Sequence, residues 1–206
     1  MWSQAEGEAG VRLARWSVDA RAGRRAGDRP TLPASFARPG RAFVTLNTYP
    51  EGVLRGCIGN VEPTVALGES VERAAGASCR DPRFEPLRPE ETDGVVVEVS
   101  LLTAPERLDG ARPLEYLDAV EVGVHGLLVR SGPASGLLLP QVAMEHAWAP
   151  EDFLAQTCVK AGLLADAWFE PSVAVYRFEA AVFGEVEPRG GIARRVLNTV
   201  HDGHPG

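Results

Sequence analysis

The sequence predicts an α+β domain with a largely antiparallel sheet, and three observations support this class. The 206 residues are 45% hydrophobic and 24% charged, which is typical of a soluble globular protein, and the length fits one domain or two small intertwined ones. Short apolar runs joined by turn residues have the pattern of β-hairpins. Segments whose apolar residues recur at helical spacing lie between these runs, and such interspersed helices are typical of the α+β class.

Helices are predicted wherever apolar residues recur about every 3.6 positions. Val11, Ala14 and Val18 indicate a first helix over about 7–22, which ends at Gly23. The Pro- and Gly-rich segment that follows it, 26–41, is predicted as a loop. The remaining predicted helices cover about 64–78, 141–147 and 151–161.

Strands are predicted where β-branched and apolar residues alternate between turn signals. The segments 42–47 and 52–59 flank Thr48-Tyr49-Pro50-Glu51 and predict a hairpin. The further predicted strands cover 94–102, 121–130, 136–139 and 173–185. Residues 187–206 are predicted as a flexible C-terminal tail after a domain over 1–186.

The charge distribution bears on the kind of partner. The net charge is −7, which argues against a general nucleic-acid binder. Residues 1–41 nevertheless hold eight Arg against four acidic residues. Two interpretations stay open for these arginines: the solvated face of a helix, or a patch for RNA or an acidic partner.

Location and metal content are predicted from what the sequence lacks. The longest run without Asp, Glu, Lys or Arg is broken by Gly and Pro, and the start has no signal-peptide pattern, so we expect a cytoplasmic protein away from membranes. Cys57, Cys79 and Cys158 are widely spaced and odd in number, which favours reduced thiols. No zinc spacing is found, and His201 and His204 lie in the predicted tail, so we expect neither metal nor cofactor.

The segment Leu54-Arg55-Gly56-Cys57-Ile58-Gly59 is the strongest candidate site in the chain. Residues two apart on a strand share a face, so Arg55 and Cys57 are expected to be neighbours, and a guanidinium beside a thiol favours the reactive thiolate. Gly56 and Gly59 would allow a ligand close to the backbone. The alternative is that Cys57 is a small packed hydrophobe.

Two further strands carry polar candidates. In Glu121-Val122-Gly123-Val124-His125-Gly126, alternation places Gly123 and His125 on one face, where His125 is either a base in a shallow site or a histidine bonded to the nearby backbone. On the strand over 94–102, Glu98 and Ser100 share a face opposite Val97 and Val99. Glu98 either faces water or lies across from Cys57 or His125.

These segments resemble, in order and spacing, the motifs of the AMMECR family over about residues 9–184. The matching motifs are Leu54-Arg55-Gly56-Cys57-Ile58-Gly59, Asp81-Pro82-Arg83-Phe84, Glu98-Val99-Ser100-Leu101-Leu102, Glu121-Val122-Gly123-Val124-His125-Gly126, Leu139-Pro140-Gln141-Val142-Ala143 and Cys158-Val159-Lys160-Ala161-Gly162-Leu163. The resemblance implies an antiparallel sheet flanked by helices in a larger and a smaller subdomain. It implies no established activity, and it implies a pathway shared with Memo-type and radical S-adenosylmethionine proteins.

Two functional hypotheses follow. In the first, Cys57 is a thiolate nucleophile, His125 is the general base or acid, and Glu98 orients the histidine. In the second, the chain is a non-catalytic module that binds an unknown small molecule or a partner, and Cys57 is a packed residue. The residues assigned to ligand binding are Arg55, Gly56, Gly59, Arg83, Gly123, Gln141 and Lys160.

Lys160 is the sole lysine beside 20 arginines. It is predicted in the last turn of a helix, where any cation is stabilising. Its presence there reflects either chance or a requirement for a compact ammonium group.

Overall fold

The computed structural model describes residues 2–25, 27–59, 65–108 and 113–195. It confirms the α+β class, with helices and eight strands in an antiparallel arrangement. The chain divides into two compact units. Within the described residues, unit 1, the larger, covers 2–102 and 181–195, and unit 2 covers 103–180.

Unit 1 has two helices against one sheet. Its elements are α1 (Gln4–Arg21), β1 (Arg41–Thr48), β2 (Leu54–Gly59), α2 (Leu67–Ser78), β3 (Val95–Leu102), the end of β7 (Ala174–Glu185) and β8 (Ile192–Arg195). The strands lie in the order β2, β1, β3, β7, with β8 paired to β7. The predicted hairpin is therefore confirmed as β1 and β2, which are antiparallel with Thr45 opposite Cys57.

Helix α1 begins three residues before the predicted start because of a capping box. The Ser3 hydroxyl accepts the Glu6 N–H at 3.3 Å, and the Glu6 carboxylate accepts the Ser3 N–H at 2.9 Å. The helix ends before Gly23, whose φ of +85° is the left-handed conformation that favours glycine. The Ser-x-x-Glu spacing is visible in the sequence and would have placed this start correctly.

The two faces of the unit 1 sheet differ in burial. Val44, Leu46, Val97 and Val99 are fully buried on the face that α1 and α2 cover, together with the predicted apolar residues of both helices. The alternate residues Phe43 and Thr45 of β1 and Val96 and Glu98 of β3 are half-buried, whereas Ser100 and Leu102 at the end of β3 are buried. We call the face opposite α1 and α2 the outer face, because its central residues keep partial access to solvent.

Unit 2 has its own core around Leu127, Phe153 and Trp168. Its elements are β4 (Glu106–Arg107), α3 (Tyr116–Ala119), β5 (His125–Ser131), β6 (Ala134–Leu138), α4 (Pro140–Glu145), α5 (Pro150–Lys160) and the start of β7. β5 pairs with β6 and with β7, and β4 pairs with β7, all antiparallel.

Two sequence predictions are wrong in detail. The strand predicted from residue 121 begins at His125, because residues 121–124 form a turn in which the Val124 and His125 N–H groups both donate to the Glu121 carbonyl. The predicted tail includes β8, which pairs Ile192 with Glu185. The rest of that tail, including His201 and His204, lies outside the described residues.

Several of the arginines near the N-terminus pair with individual carboxylates. Arg15 is buried against Glu185, Arg12 pairs with Glu8, and Arg29 pairs with Glu72. This pairing weakens the interpretation of a free basic patch. Separately, none of the helices in the described residues has the length and apolar character needed to span a bilayer.

Gly56 provides a direct test of how closely β2 packs on α2. A Cβ at this position would lie 2.3 Å from the Ser78 carbonyl oxygen, so Gly56→Ala should destabilise the fold by about 1–3 kcal/mol through overpacking. Urea denaturation measures the effect. Gly94→Ala is the control, since nothing lies within 4 Å of its added methyl group. Equal stability of the two variants would contradict the close approach.

Candidate functional site

The segment 54–59 forms β2, the edge strand of the unit 1 sheet. Gly56 faces α2, where its missing side chain leaves room for the Ser78 carbonyl. Gly59 faces the Phe43 ring, whose Cγ would be 2.2 Å from an added Cβ. In the described structure, the space beside each of these two glycines is therefore occupied by the protein's own atoms, and neither glycine borders an open ligand groove.

The edge of β2 is covered by the side chains of Asp81 and Arg83. The Cys57 N–H donates to Asp81 Oδ2 at 2.9 Å, and Arg83 Nη2 donates to the Cys57 carbonyl at 3.4 Å. Because these backbone groups point away from β1, they would otherwise be free to pair with another strand. The Asp81–Arg83 pair thus occupies the position that a further strand would take.

Asp81 is the buried anion of this site. Its side chain is 1% exposed and accepts four hydrogen bonds, from the Cys57 N–H and from the Arg83 N–H, Nε and Nη2. The hydrogen bonds from the Arg83 side chain hold the pKa of the Asp81 carboxyl well below its usual range. A buried carboxylate requires such pairing, so Asp81 and Arg83 act as one unit.

The Cys57 thiol lies on the outer face and is half-buried. The Thr45 hydroxyl donates to its sulfur at 3.3 Å. Burial raises the pKa of the Cys57 thiol, and the carboxylates of Asp81 and Glu98 raise it further. The Thr45 hydrogen bond and the Arg83 charge act in the opposite direction but do not reverse the shift. The local electrostatics therefore favour the thiol over the thiolate.

A row of polar side chains crosses the outer face from Cys57. Thr45 is opposite both Cys57 on β2 and Glu98 on β3, so these three residues share one face of three neighbouring strands. Next to Glu98 in the sheet lies Gly184 of β7, which has no side chain. The Arg195 Nε atom lies 3.8 Å from Glu98 Oε2. We call Cys57, Thr45, Glu98 and Arg195 the outer-face row.

Arg55 is not placed as predicted. The register between β1 and β2 shifts at Leu46 and Asn47, so that Arg55 has no partner in the β1 register. Its guanidinium binds Glu91 through two hydrogen bonds of 3.1 and 3.3 Å and lies 6.0 Å from the Phe84 ring centre. The expectation that Arg55 stabilises a Cys57 thiolate gains no support from this position, because the guanidinium is engaged by Glu91.

His125 belongs to unit 2, whereas Cys57 and Glu98 belong to unit 1. Its Nδ1 accepts the Glu121 N–H at 2.9 Å, which makes Nε2 the protonated nitrogen of the neutral ring. Burial lowers the His125 pKa, and the Arg177 charge lowers it further. This geometry corresponds to a histidine bonded to the nearby backbone. Gly123 does not share its face, since Gly123 lies in the preceding turn with φ +87°.

The other two predicted ligand residues also lie in unit 2. Gln141 is half-buried in the first turn of α4. Lys160 is exposed in the last turn of α5, whereas the neighbouring Cys158 is buried in the core. A cation at a helix C-terminus is favourable in any case, and this position accounts for Lys160 without a ligand.

Unit 1 therefore brings together Cys57, Arg83 and Glu98, and it adds three residues that the sequence interpretation did not assign to the site: Thr45, Asp81 in its pairing role, and Arg195. The alternation of β1 could have indicated Thr45, but Arg195 lay in the predicted tail. In the part of the chain that the structure describes, no group of three His, Cys, Asp or Glu side chains could hold a metal ion.

Known proteins are similar to this chain over most of its length. A family model described as AMMECR1 matches residues 11–183. A Methanocaldococcus jannaschii protein is 48% identical over 81% of this chain and 84% of its own length, and one from Methanopyrus kandleri is 45% identical over 93% and 94%. The crystal structure of an uncharacterized protein from Pyrococcus horikoshii is similar with a TM-score of 0.84 at 44% identity, covering 92% of this chain and 96% of that one.

The pairing of the buried Asp81 carboxylate with Arg83 predicts a pH dependence of stability. Because folding lowers the Asp81 pKa, its contribution is complete above the ordinary Asp value of ~3.9 and is lost as the pH falls below it. Asp81→Asn should lower the free energy of unfolding by about 1–3 kcal/mol at pH 7. Its difference from the parent should shrink below about pH 4 in urea titrations.

Glu69→Gln is the control for this prediction, since Glu69 forms an exposed pair with Arg73 one helical turn away. It should unfold like the parent at pH 7. A constant difference between Asp81→Asn and the parent from pH 7 to pH 3 would show that the Asp81 charge is irrelevant.

Proposed function

This chain belongs to the AMMECR1 family, and we propose that it is a non-catalytic binding module whose site is the outer-face row of unit 1. The observation that carries the proposal is the state of Cys57, whose thiol pKa is raised while Arg55 is neutralised by Glu91. A nucleophilic cysteine requires the opposite shift at neutral pH. Binding requires only that the row present donors and acceptors to a partner.

The outer-face row has the composition of a recognition surface. It offers the Cys57 thiol, the Thr45 hydroxyl, and the Glu98 and Arg195 charges on adjacent strands. Glu98 and Arg195 are of opposite sign, so the row has little net charge and favours a polar partner over a strongly anionic one. The sheet beneath it fixes the backbone positions of these residues, so binding has to order only their side chains.

The catalytic hypothesis assigns Cys57, His125 and Glu98 the roles of nucleophile, base and orienting residue. Against it stand the raised pKa of the Cys57 thiol and the His125 Nδ1, which already accepts a backbone N–H. The cytoplasmic location stays a prediction, and the reduced state expected of the three cysteines agrees with it.

Alkylation separates the two hypotheses. Native protein is treated with iodoacetamide from pH 6 to 10, and labelling of each cysteine is followed by peptide mass spectrometry. Cys57 should react slowly near neutrality, with half-maximal rate above the ordinary thiol pKa of about 8.5. Thr45→Val should raise the apparent pKa of Cys57 further, because it removes a hydrogen bond that lowers this pKa.

Cys79 and Cys158 are internal references for this experiment. Both are buried, and burial raises the pKa of the Cys79 thiol to about 11, so both should label only when the protein unfolds. Fast labelling of Cys57 alone at pH 7, with an apparent pKa below 8, would restore the thiolate nucleophile and overturn the binding proposal.

A second experiment addresses the partner. Because the family resemblance implies a pathway shared with Memo-type and radical S-adenosylmethionine proteins, we propose that the outer-face row binds a Memo-type protein. The immobilised chain should retain the Memo-type protein of the same organism. Thr45→Arg, which places a long cation in the row, should reduce this retention at least tenfold, measured by surface plasmon resonance.

Val159→Arg is the matched control, since Val159 is 50% exposed on α5 in unit 2. It should bind like the parent. Equal retention by Thr45→Arg and the parent would remove the outer-face row as the docking surface, and no retention by the parent would exclude this partner.

A further inference from the structure

A cleft of about 490 Å³ opens in unit 1, away from the Cys57 site. Its walls are α1, the segment 27–30 and the segment 185–192, and none of its lining residues belongs to the outer-face row. Its volume falls within the ~300–1,000 Å³ of small-molecule sites. The cleft is therefore large enough for a metabolite.

The segment 27–30 forms the first wall, and hydrogen bonds to α1 and α2 hold it in place. The Trp16 indole N–H donates to the Gly27 carbonyl at 2.8 Å, which holds the segment 27–30 beside the indole. The neighbouring Arg29 donates through Nε to Glu72 on α2 at 2.7 Å. This wall is thus preformed, and Pro30 on it and the Trp16 indole of α1 supply apolar surface to the cleft.

The segment 185–192 forms the opposite wall, and ion pairs hold this wall and the base of the cleft in place. Arg189 binds Asp19 through Nη1 at 2.6 Å and Nη2 at 2.8 Å. Arg15 binds Glu185 with two hydrogen bonds, and both side chains are buried. Since each of these four charges is matched within the protein, the base of the cleft does not select the sign of a ligand.

Two charged side chains at the cleft, Arg12 and Asp28, are available to bind a ligand. Arg12 is 63% exposed, and only its Nη2 binds Glu8, at 2.9 Å. Asp28 forms neither a hydrogen bond nor an ion pair with any described residue. Arg12 lies on α1 and Asp28 on the segment 27–30, so the cleft presents a cation and an anion from different walls, with Trp16 and Ile192 as apolar surface.

We propose that this cleft binds a small zwitterion with an apolar side chain, of the chemical class of the aliphatic α-amino acids. The ligand carboxylate binds the Arg12 guanidinium, and its ammonium group binds Asp28. The aliphatic side chain packs on the Trp16 indole, which also attracts the ammonium charge. This site is independent of the outer-face row, so either proposal can fail without the other.

Isothermal titration calorimetry with L-leucine tests the proposal. The intact chain should give a saturable signal with Kd below about 1 mM. Two analogues each lack one charge: 4-methylpentanoate lacks the ammonium group, and 3-methylbutylamine lacks the carboxylate. Both should bind at least tenfold more weakly, because each leaves one of Arg12 and Asp28 without its partner.

Variants assign the binding to the cleft. Arg12→Gln and Asp28→Asn should each weaken leucine binding at least tenfold, and Arg12→Lys should restore part of it. Arg73→Gln is the matched control, since Arg73 is 59% exposed and pairs with Glu69 one turn away, as Arg12 does with Glu8. Circular dichroism confirms that the variants fold.

Three results would overturn the proposal: no saturable binding of leucine at 10 mM, equal affinity for leucine and its single-charge analogues, or unchanged affinity in both folded cleft variants. The first excludes the ligand class. The second shows that neither charge of leucine contributes to binding, and the third places the binding elsewhere.

Discussion

The hydrogen bonds of the buried Asp81 carboxylate are the interaction on which the candidate site depends. Asp81 accepts the Cys57 N–H and holds Arg83, which in turn donates to the Cys57 carbonyl. A buried carboxylate is tolerated only when it is paired. Loss of any one of these contacts therefore leaves the buried Asp81 charge less well compensated. The same contacts cover the edge of β2 and keep Cys57 at its position on the outer face.

This arrangement changes the meaning of the charged residues around Cys57. Arg55 binds the Glu91 carboxylate, and Arg83 binds the Asp81 carboxylate. The main role of both guanidinium groups is therefore to hold the neighbouring loop and β2 together. The negative charges of Asp81 and Glu98, together with burial, leave Cys57 as a thiol. A cysteine in this setting donates and accepts weak hydrogen bonds and packs, which agrees with a role in binding.

Sequence patterns predicted the elements well where a single period dominates. The helical spacing of Leu67, Val71 and Ala75 placed α2, and all three side chains are fully buried. The alternation on β3 separated Val97 and Val99 from Glu98 correctly. The errors lie where the period breaks: the bulge beside Arg55, the turn that contains Gly123, and the short strand β8 beyond a Gly-rich turn.

The sequence by itself determined the α+β class, the family, and the hairpin of β1 and β2 that carries Cys57, because these follow from periodicity and from motifs that are contiguous in the chain. Only the tertiary structure decided which charges meet. Asp81 lies 24 residues from Cys57 and Glu91 lies 36 from Arg55, and only folding brings them into contact. The chemistry of the thiol depends on those contacts and on its burial, neither of which a linear pattern contains.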